Sequence, residues 1–344
     1  MSPRWRDAMD RALYGPGGFF VAGPGPAAHF RTSAHASPVL ASCLLRLVRA
    51  VDRALGRPPT LDLVDVGAGR GELLRALLAA LPEEPDGPAP LARRLRLTAV
   101  ERAPRPDGLP ARVDWVDEIP AGITGLLVAT EWLDNVPLDL AVPTGDGWRY
   151  LLVDPATGDE STGDPLSAED ADWLARWWPV PGAPTRPPLD GVEVELGRER
   201  DEAWARAVGH LDRGLAVAVD YGHARRSRPV GRTLTGYRDG RQVPPVPDGS
   251  CDVTAHVAMD SVAAAGARVA GRAYTLLAQR EALRALGADG GRPPLSLAAT
   301  DPARYVRALA AASAVAELTD PAGLGGHRWL LQPVGVTVDP LMAR

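Results

Sequence analysis

None of the 344 residues is lysine, so the 38 basic side chains are all arginine. Without lysine there is no P-loop phosphate cradle and no Schiff-base enzyme. Cysteine is scarce too. Cys43 and Cys251 form neither a metal-type pair nor a disulfide framework, and the expected setting is a reducing cytoplasm. No apolar run reaches membrane-spanning length, and the opening MSPRWRDAMDRALYGPGG lacks the apolar core of a signal peptide. The expectation is a soluble chain with no membrane partner. A net charge of −5 opposes bulk binding to nucleic-acid phosphates.

What is present is ordinary for a globular protein: 45% apolar and 24% charged residues, on a chain long enough for a large core. The segment LVDVGAGRGELLRALL (63–78) reads as an apolar strand, a glycine turn and a helix. Further strands are expected at 95–101, before Glu131, before Asp220 and at the closing HRWLLQPVGVTV. Separated by helical stretches, including 276–287 and 301–318, they predict a doubly wound α/β sheet. The expected division is an N-terminal cap (1–60), a cofactor-binding half (61–140), an insertion (141–213) and the second half of the core (214–344). In the insertion, a hairpin precedes a capped helix at SAEDADWLARWW.

Gly67, Gly69 and Gly71 form G-x-G-x-G, whereas the dinucleotide fingerprint wants its third glycine where Glu72 stands. Asp65 precedes the turn, where a carboxylate suits the ammonium of a methionine-derived cofactor. Glu101 ends the next strand, a natural acceptor for two ribose hydroxyls. This combination favours S-adenosylmethionine (SAM) over NAD, and Asp117 is a candidate contact for adenine. A tight turn with a helix-dipole carboxylate at Glu72 remains the plainer account of the glycines alone.

The chain resembles the MidA-like SAM-dependent methyltransferases, whose mitochondrial members assist complex I assembly and methylate an arginine. The resemblance rests on ALYGPGGFF, FRTSAHASP, VDVGAGRG, TEWLDNVP, VDYG, TLTGYR, DVTAHV and QREALRALG, which occur in the family's order over about residues 10–290. It implies a class I, Rossmann-like methyltransferase sheet with an N-terminal cap and an inserted subdomain. It also implies cofactor contacts at Asp65, Gly67, Gly69, Gly71 and Glu101, with Thr32 and Ser33 near the pocket. Glu131, Asp134, Asp220 and Tyr221 would face the substrate, and His256 would shape the pocket.

The sequence departs from the family at Ala28-His29-Phe30, at Ser33-Ala34-His35 and at Asp139-Leu140. These changes bear more on substrate choice than on the cofactor.

Glu131 and Asp134 are the candidate catalytic carboxylates. They suit a guanidinium held by charge-assisted hydrogen bonds, and one of them would help remove its proton. Asp134 with Asn135 could instead cap a helix near Pro137. His29, His35 and His256 match no compact metal motif, and no metal is expected. Tyr237 and Arg238 are rim or loop-packing residues, and Trp173 with Trp177 lies on one helix face as core.

Three functions compete: methyl transfer to a protein arginine, methyl transfer to a small molecule, and a SAM-binding assembly factor with little turnover. A nicotinamide oxidoreductase is disfavoured by Glu72. Oligomeric state is not readable from the sequence.

Overall fold

The computed structural model describes residues 2–22, 38–81, 90–178, 192–288 and 290–337. Four parallel strands come first: β1 (Leu61–Val66), β2 (Leu95–Val100), β3 (Val113–Val116) and β4 (Ile123–Thr130). A second group follows: β5 (Asp139–Thr144), β6 (Gly147–Val153), β7 (Glu160–Pro165) and β8 (Val194–Leu196). The chain returns to the main sheet with β9 (Leu211–Asp220). Short strands β10 (Gly222–His223), β11 (Thr235–Arg238), β12 (Arg241–Val243), β13 (Asp252–Thr254) and β14 (Val257–Ala258) then surround the rim. β15 (Thr275–Ala278) and β16 (Arg328–Val334) close the fold.

The main sheet has seven strands in the order β15-β16-β9-β4-β1-β2-β3. Its β3-to-β9 portion is parallel, and β16 lies antiparallel between β9 and β15. β1 is buried along its whole length because helices cover both faces. Pro38–Ala54 and Glu72–Ala80 pack on one side, through residues such as Leu44, Leu47 and Leu74. Arg198–Gly209 and Met259–Ala270 pack on the other, through Trp204 and Val262.

The second sheet, ordered β7-β6-β5-β8, is antiparallel and separate. Helix Ala168–Trp177 carries the expected cap, with Ser167 accepting from the Asp170 N–H, and buries Trp173. This sheet ends at Leu196, and the helix Arg198–Gly209 belongs with the main sheet because Trp204 faces its core.

Two local expectations are corrected. Residues 276–287 are not one helix: β15 occupies Thr275–Ala278, paired to β16, and the helix spans Gln279–Ala285. An apolar run of this length fits either state, and the sheet edge decides it. No helix follows Pro137 either. Leu133–Asn135 form a single 3-10 turn, and β5 begins at Asp139.

Asp139, one of the positions where the sequence departs from the family it resembles, is buried. Its carboxylate bridges Arg4 and accepts the backbone N–H of Arg6 at 3.1 Å, which ties helix Trp5–Tyr14 to β5.

Candidate functional site

The site gathers at the carboxyl ends of β1, β2, β4 and β9, where an open α/β sheet leaves a crevice. The glycine turn follows β1, with Gly67, Gly69 and Gly71 all at positive φ (71°, 57° and 78°). At Gly67 a Cβ would meet the Trp132 side chain at 2.9 Å, so the turn and the segment after β4 touch directly. At Gly69 the nearest atom to such a Cβ is Glu72 Oε2 at 3.5 Å, which leaves the turn open above it.

Asp65 is 1% exposed, and neither carboxylate oxygen has a hydrogen-bond partner. Burial first, then the Glu72 and Glu101 carboxylates, push its pKa well above the ordinary aspartate value. A buried anion without a partner is unfavourable unless a cation completes it. Glu101 follows β2 and accepts the N–H groups of Gly69 (3.0 Å), Arg102 (2.7 Å) and Ala103 (3.2 Å). Those bonds fix its carboxylate at the wall of a cavity, with about one acceptor site left over.

That cavity has a volume of about 670 Å³ and is lined by Gly67, Gly69, Glu101, Asp117, Trp132 and Asn135, among others. Helix Trp5–Tyr14 forms its far wall. Tyr14 donates to the Asn135 carbonyl at 3.2 Å and stacks on Phe20. Asp117 thus shares one cavity with the glycine turn and Glu101. Thr32 and Ser33, with His29 and His35, lie outside the described residues.

On the acceptor side, Glu131 directly follows β4 with a φ of 51°, unusual for a residue with a side chain. Its N–H is held by the Val219 carbonyl at 2.8 Å. Asp220 ends β9 and is buried. One oxygen accepts the N–H of Leu133 (3.0 Å) and of Asp134 (3.3 Å), and the other accepts that of Tyr221 (3.0 Å). Asp134 accepts hydrogen bonds from the Tyr221 hydroxyl and from Thr254 Oγ1, the latter at 2.8 Å, while its other oxygen has no partner. Asn135 donates to Asp252 at 2.7 Å. Burial pushes Asp134, Asp220 and Asp252 all upward, and neighbouring carboxylates add to this at Asp220 and Asp252.

The buried cation facing this group is Arg200, 1% exposed. Its guanidinium is occupied by carbonyls: Val136 (3.0 Å), Ala255 (2.9 Å), His256 (3.1 Å) and Asp134. His256 is exposed at the rim, its ring edge-on to Tyr221 at 5.3 Å. Tyr237 pairs with Asp252 across β11 and β13. Among the described residues, no group of three His, Cys, Asp or Glu could hold a metal ion.

Sequence reasoning did not single out Tyr14, Trp132, Arg200 or His327. Tyr14 and Trp132 lie inside quoted motifs, but nothing local distinguishes a cavity wall from core. Arg200 and His327 reach the site only through tertiary folding.

A seven-stranded sheet with one antiparallel strand next to its edge, and an acidic residue before a glycine turn, defines the class I methyltransferase fold. Residues 39–276 match the family model described as "Putative S-adenosyl-L-methionine-dependent methyltransferase", and the chain belongs to that family. A Burkholderia thailandensis crystal structure bound to S-adenosyl-homocysteine is 26% identical, with a TM-score of 0.75, covering 99% of this chain and 91% of that one. A native structure of a protein from the same organism also gives 26% and 0.75, covering 99% and 90%. The mitochondrial "Protein arginine methyltransferase NDUFAF7 homolog" of Drosophila melanogaster is 27% identical over 60% of this chain. The chain spans about half the length of that curated relative, 52%.

Proposed function

We propose that this protein transfers a methyl group from SAM to a nitrogen of a cationic group, with an arginine guanidinium of a protein as the acceptor. The carrying observation is the convergence of Glu131, Asp134, Asp220 and Asp252 in the segments after β4 and β9 and on β13, close to a buried arginine already committed to carbonyls. Such a cluster calls for an incoming cation. The name of the Drosophila relative supports the choice of arginine.

The cofactor reading rests on residues that fit it. The partnerless carboxylate of Asp65 suits an ammonium, Gly69 leaves open space, and Glu101 is pre-oriented for ribose hydroxyls. Asp117, Thr32 and Ser33 complete the proposed cofactor set. Bound SAM supplies an electrophilic methyl on a positively charged sulfur. The protein's task is to hold an acceptor nitrogen in line with that methyl and accept its proton. Glu131 is the group we assign to the proton. Asp134, fixed by Tyr221 and Thr254, holds the guanidinium, with Asp220 and Tyr221 shaping its seat and His256 at the mouth.

In this reading, helix Trp5–Tyr14 and the second sheet form the cap and insertion over the rim. Cys43 and Cys251 are both free and buried, which fits a reducing compartment such as the cytoplasm. Among the described residues, no helix is long and apolar enough to cross a membrane.

The test combines methyl-labelled SAM and native lysate with calorimetric SAM binding. Glu131→Gln should retain SAM affinity and lose about two to four decades of transfer, the scale of a positioned acid–base group. Glu101→Gln should instead weaken SAM binding. Transfer at the parent rate by Glu131→Gln removes Glu131 from the chemistry. SAM binding without any labelled product in the parent protein favours an assembly factor.

A further inference from the structure

Beside Glu131 stands a residue with no role so far. His327 immediately precedes β16, whose first residue, Arg328, pairs with Asp220. Its Nδ1 lies 4.0 Å from Glu131 Oε1, and the two side chains are only 10% and 12% exposed. Its ring lies 5.6 Å from that of Tyr221, tilted by 33°.

The backbone around His327 is firmly built. Its N–H donates to the Leu324 carbonyl at 3.1 Å, and its carbonyl accepts from the Gln279 N–H at 2.7 Å. The fully buried Gln279 side chain donates to the carbonyls of Leu318 (3.2 Å) and Leu324 (2.9 Å), and accepts from Trp329 Nε1 at 3.1 Å. Gln279 therefore fixes the turn on both sides of His327.

We propose that His327 is a positioning and proton-relay residue for Glu131, acting through that carboxylate rather than on the acceptor itself. The inference rests on methyl transfer at Glu131. In the step, the acceptor nitrogen's electron pair forms the new N–C bond. The methyl–sulfur bond breaks, and its electrons remain on sulfur as a neutral thioether. The surplus proton on the methylated nitrogen passes to Glu131, then to Nδ1 of His327, and the ring returns a proton to solvent from Nε2.

Burial, then His256, push the His327 pKa down to about 4, so the imidazole is neutral at neutral pH and gives up a relayed proton readily. A weak base suffices. A nitrogen bearing both a new methyl and the guanidinium charge releases its proton far more readily than an ordinary guanidinium. Among the described residues, the groups near the ring include Glu131 after β4, Tyr221 after β9, and His256 from the segment before β14.

The test has two arms. In the first, NMR follows the His327 imidazole during pH titration of the parent protein and Glu131→Gln. Removing the carboxylate should lower the His327 pKa by about one unit, the effect of a charge 4–6 Å away. No shift overturns the pairing. In the second, His327→Ala should keep its calorimetric SAM affinity and lose about tenfold or more of the labelled transfer to lysate proteins. Added imidazole should restore much of that loss, which it would not do for a purely structural defect. Unchanged transfer, or a loss that imidazole does not relieve, overturns the relay. Absence of transfer in the parent protein overturns the methyl-transfer reading and the relay with it, while the titration still judges the Glu131–His327 pair.

Discussion

At the scale of single residues, Asp65 and the glycines make opposite demands on the unliganded protein. Asp65 is a buried carboxylate with a raised pKa and no partner, so its ionisation opposes folding at neutral pH. Asp65→Asn is expected to raise the melting temperature of the unliganded protein while weakening SAM at least tenfold. Thermal shift with and without S-adenosylhomocysteine reads both effects. Gly67 and Gly69 share a positive φ but not their surroundings. Gly67→Ala forces a Cβ to 2.9 Å from Trp132 and should destabilise by about 2 kcal/mol or more. Gly69→Ala meets nothing closer than 3.5 Å and should cost only the backbone strain, about 1 kcal/mol. Its expected defect is therefore in cofactor binding. Equal unfolding free energies for the two variants in urea would contradict this distinction.

At the scale of elements, the site is a junction of strand ends held from behind by one side chain. Arg200, on the helix Arg198–Gly209, reaches the turn after β4 through the Asp134 and Val136 carbonyls. It reaches the segment before β14 through those of Ala255 and His256. Truncation would leave these carbonyls and the surrounding carboxylates without a buried cation. Arg200→Ala should lose about 3–5 kcal/mol, the scale for breaking a buried charged network. Arg200→Lys should recover only part of this, because one ammonium cannot reproduce the fork of a guanidinium. Chemical denaturation of both variants checks the order; a loss under 1 kcal/mol for the alanine variant would remove the tie.

At the scale of the whole molecule, Asp201 joins three helices. Its Oδ2 accepts from Trp173 Nε1 at 2.8 Å and from Ser261, while Oδ1 has no partner. Burial pushes its pKa up to about 7. A raised carboxylate contributes stability below its unfolded pKa, and that contribution is lost as pH rises toward 7. The opposite slope comes from His223 and His327, lowered to about 3 and about 4 by burial first. Their contribution is present above the unfolded value of about 6.5 and is lost as pH falls through the folded values. Asp201→Asn keeps an acceptor for Trp173 and Ser261 and removes the first slope. Its melting temperature should match the parent near pH 4 and exceed it by a few degrees at pH 7.5 in calorimetry. An equal gain at both pH values would assign the effect to packing instead of ionisation.

The sequence alone determined the sheet's alternation of strands and helices, because apolar runs, the Gly67–Gly71 turn and the Ser167 cap are local signals. It also determined the family, through eight short motifs in order. The two states of 275–285 were not legible, since a short apolar run suits helix or strand until β16 offers an edge. Nor was the fate of Asp134, whose carboxylate reads as a catalytic candidate or a helix cap and is bound by Tyr221 and Thr254, 87 and 120 positions away. Glu131, Asp220, Arg200 and His327 come from four different elements. Their shared environment exists only once burial has removed water from between them, and that is a property of the tertiary structure.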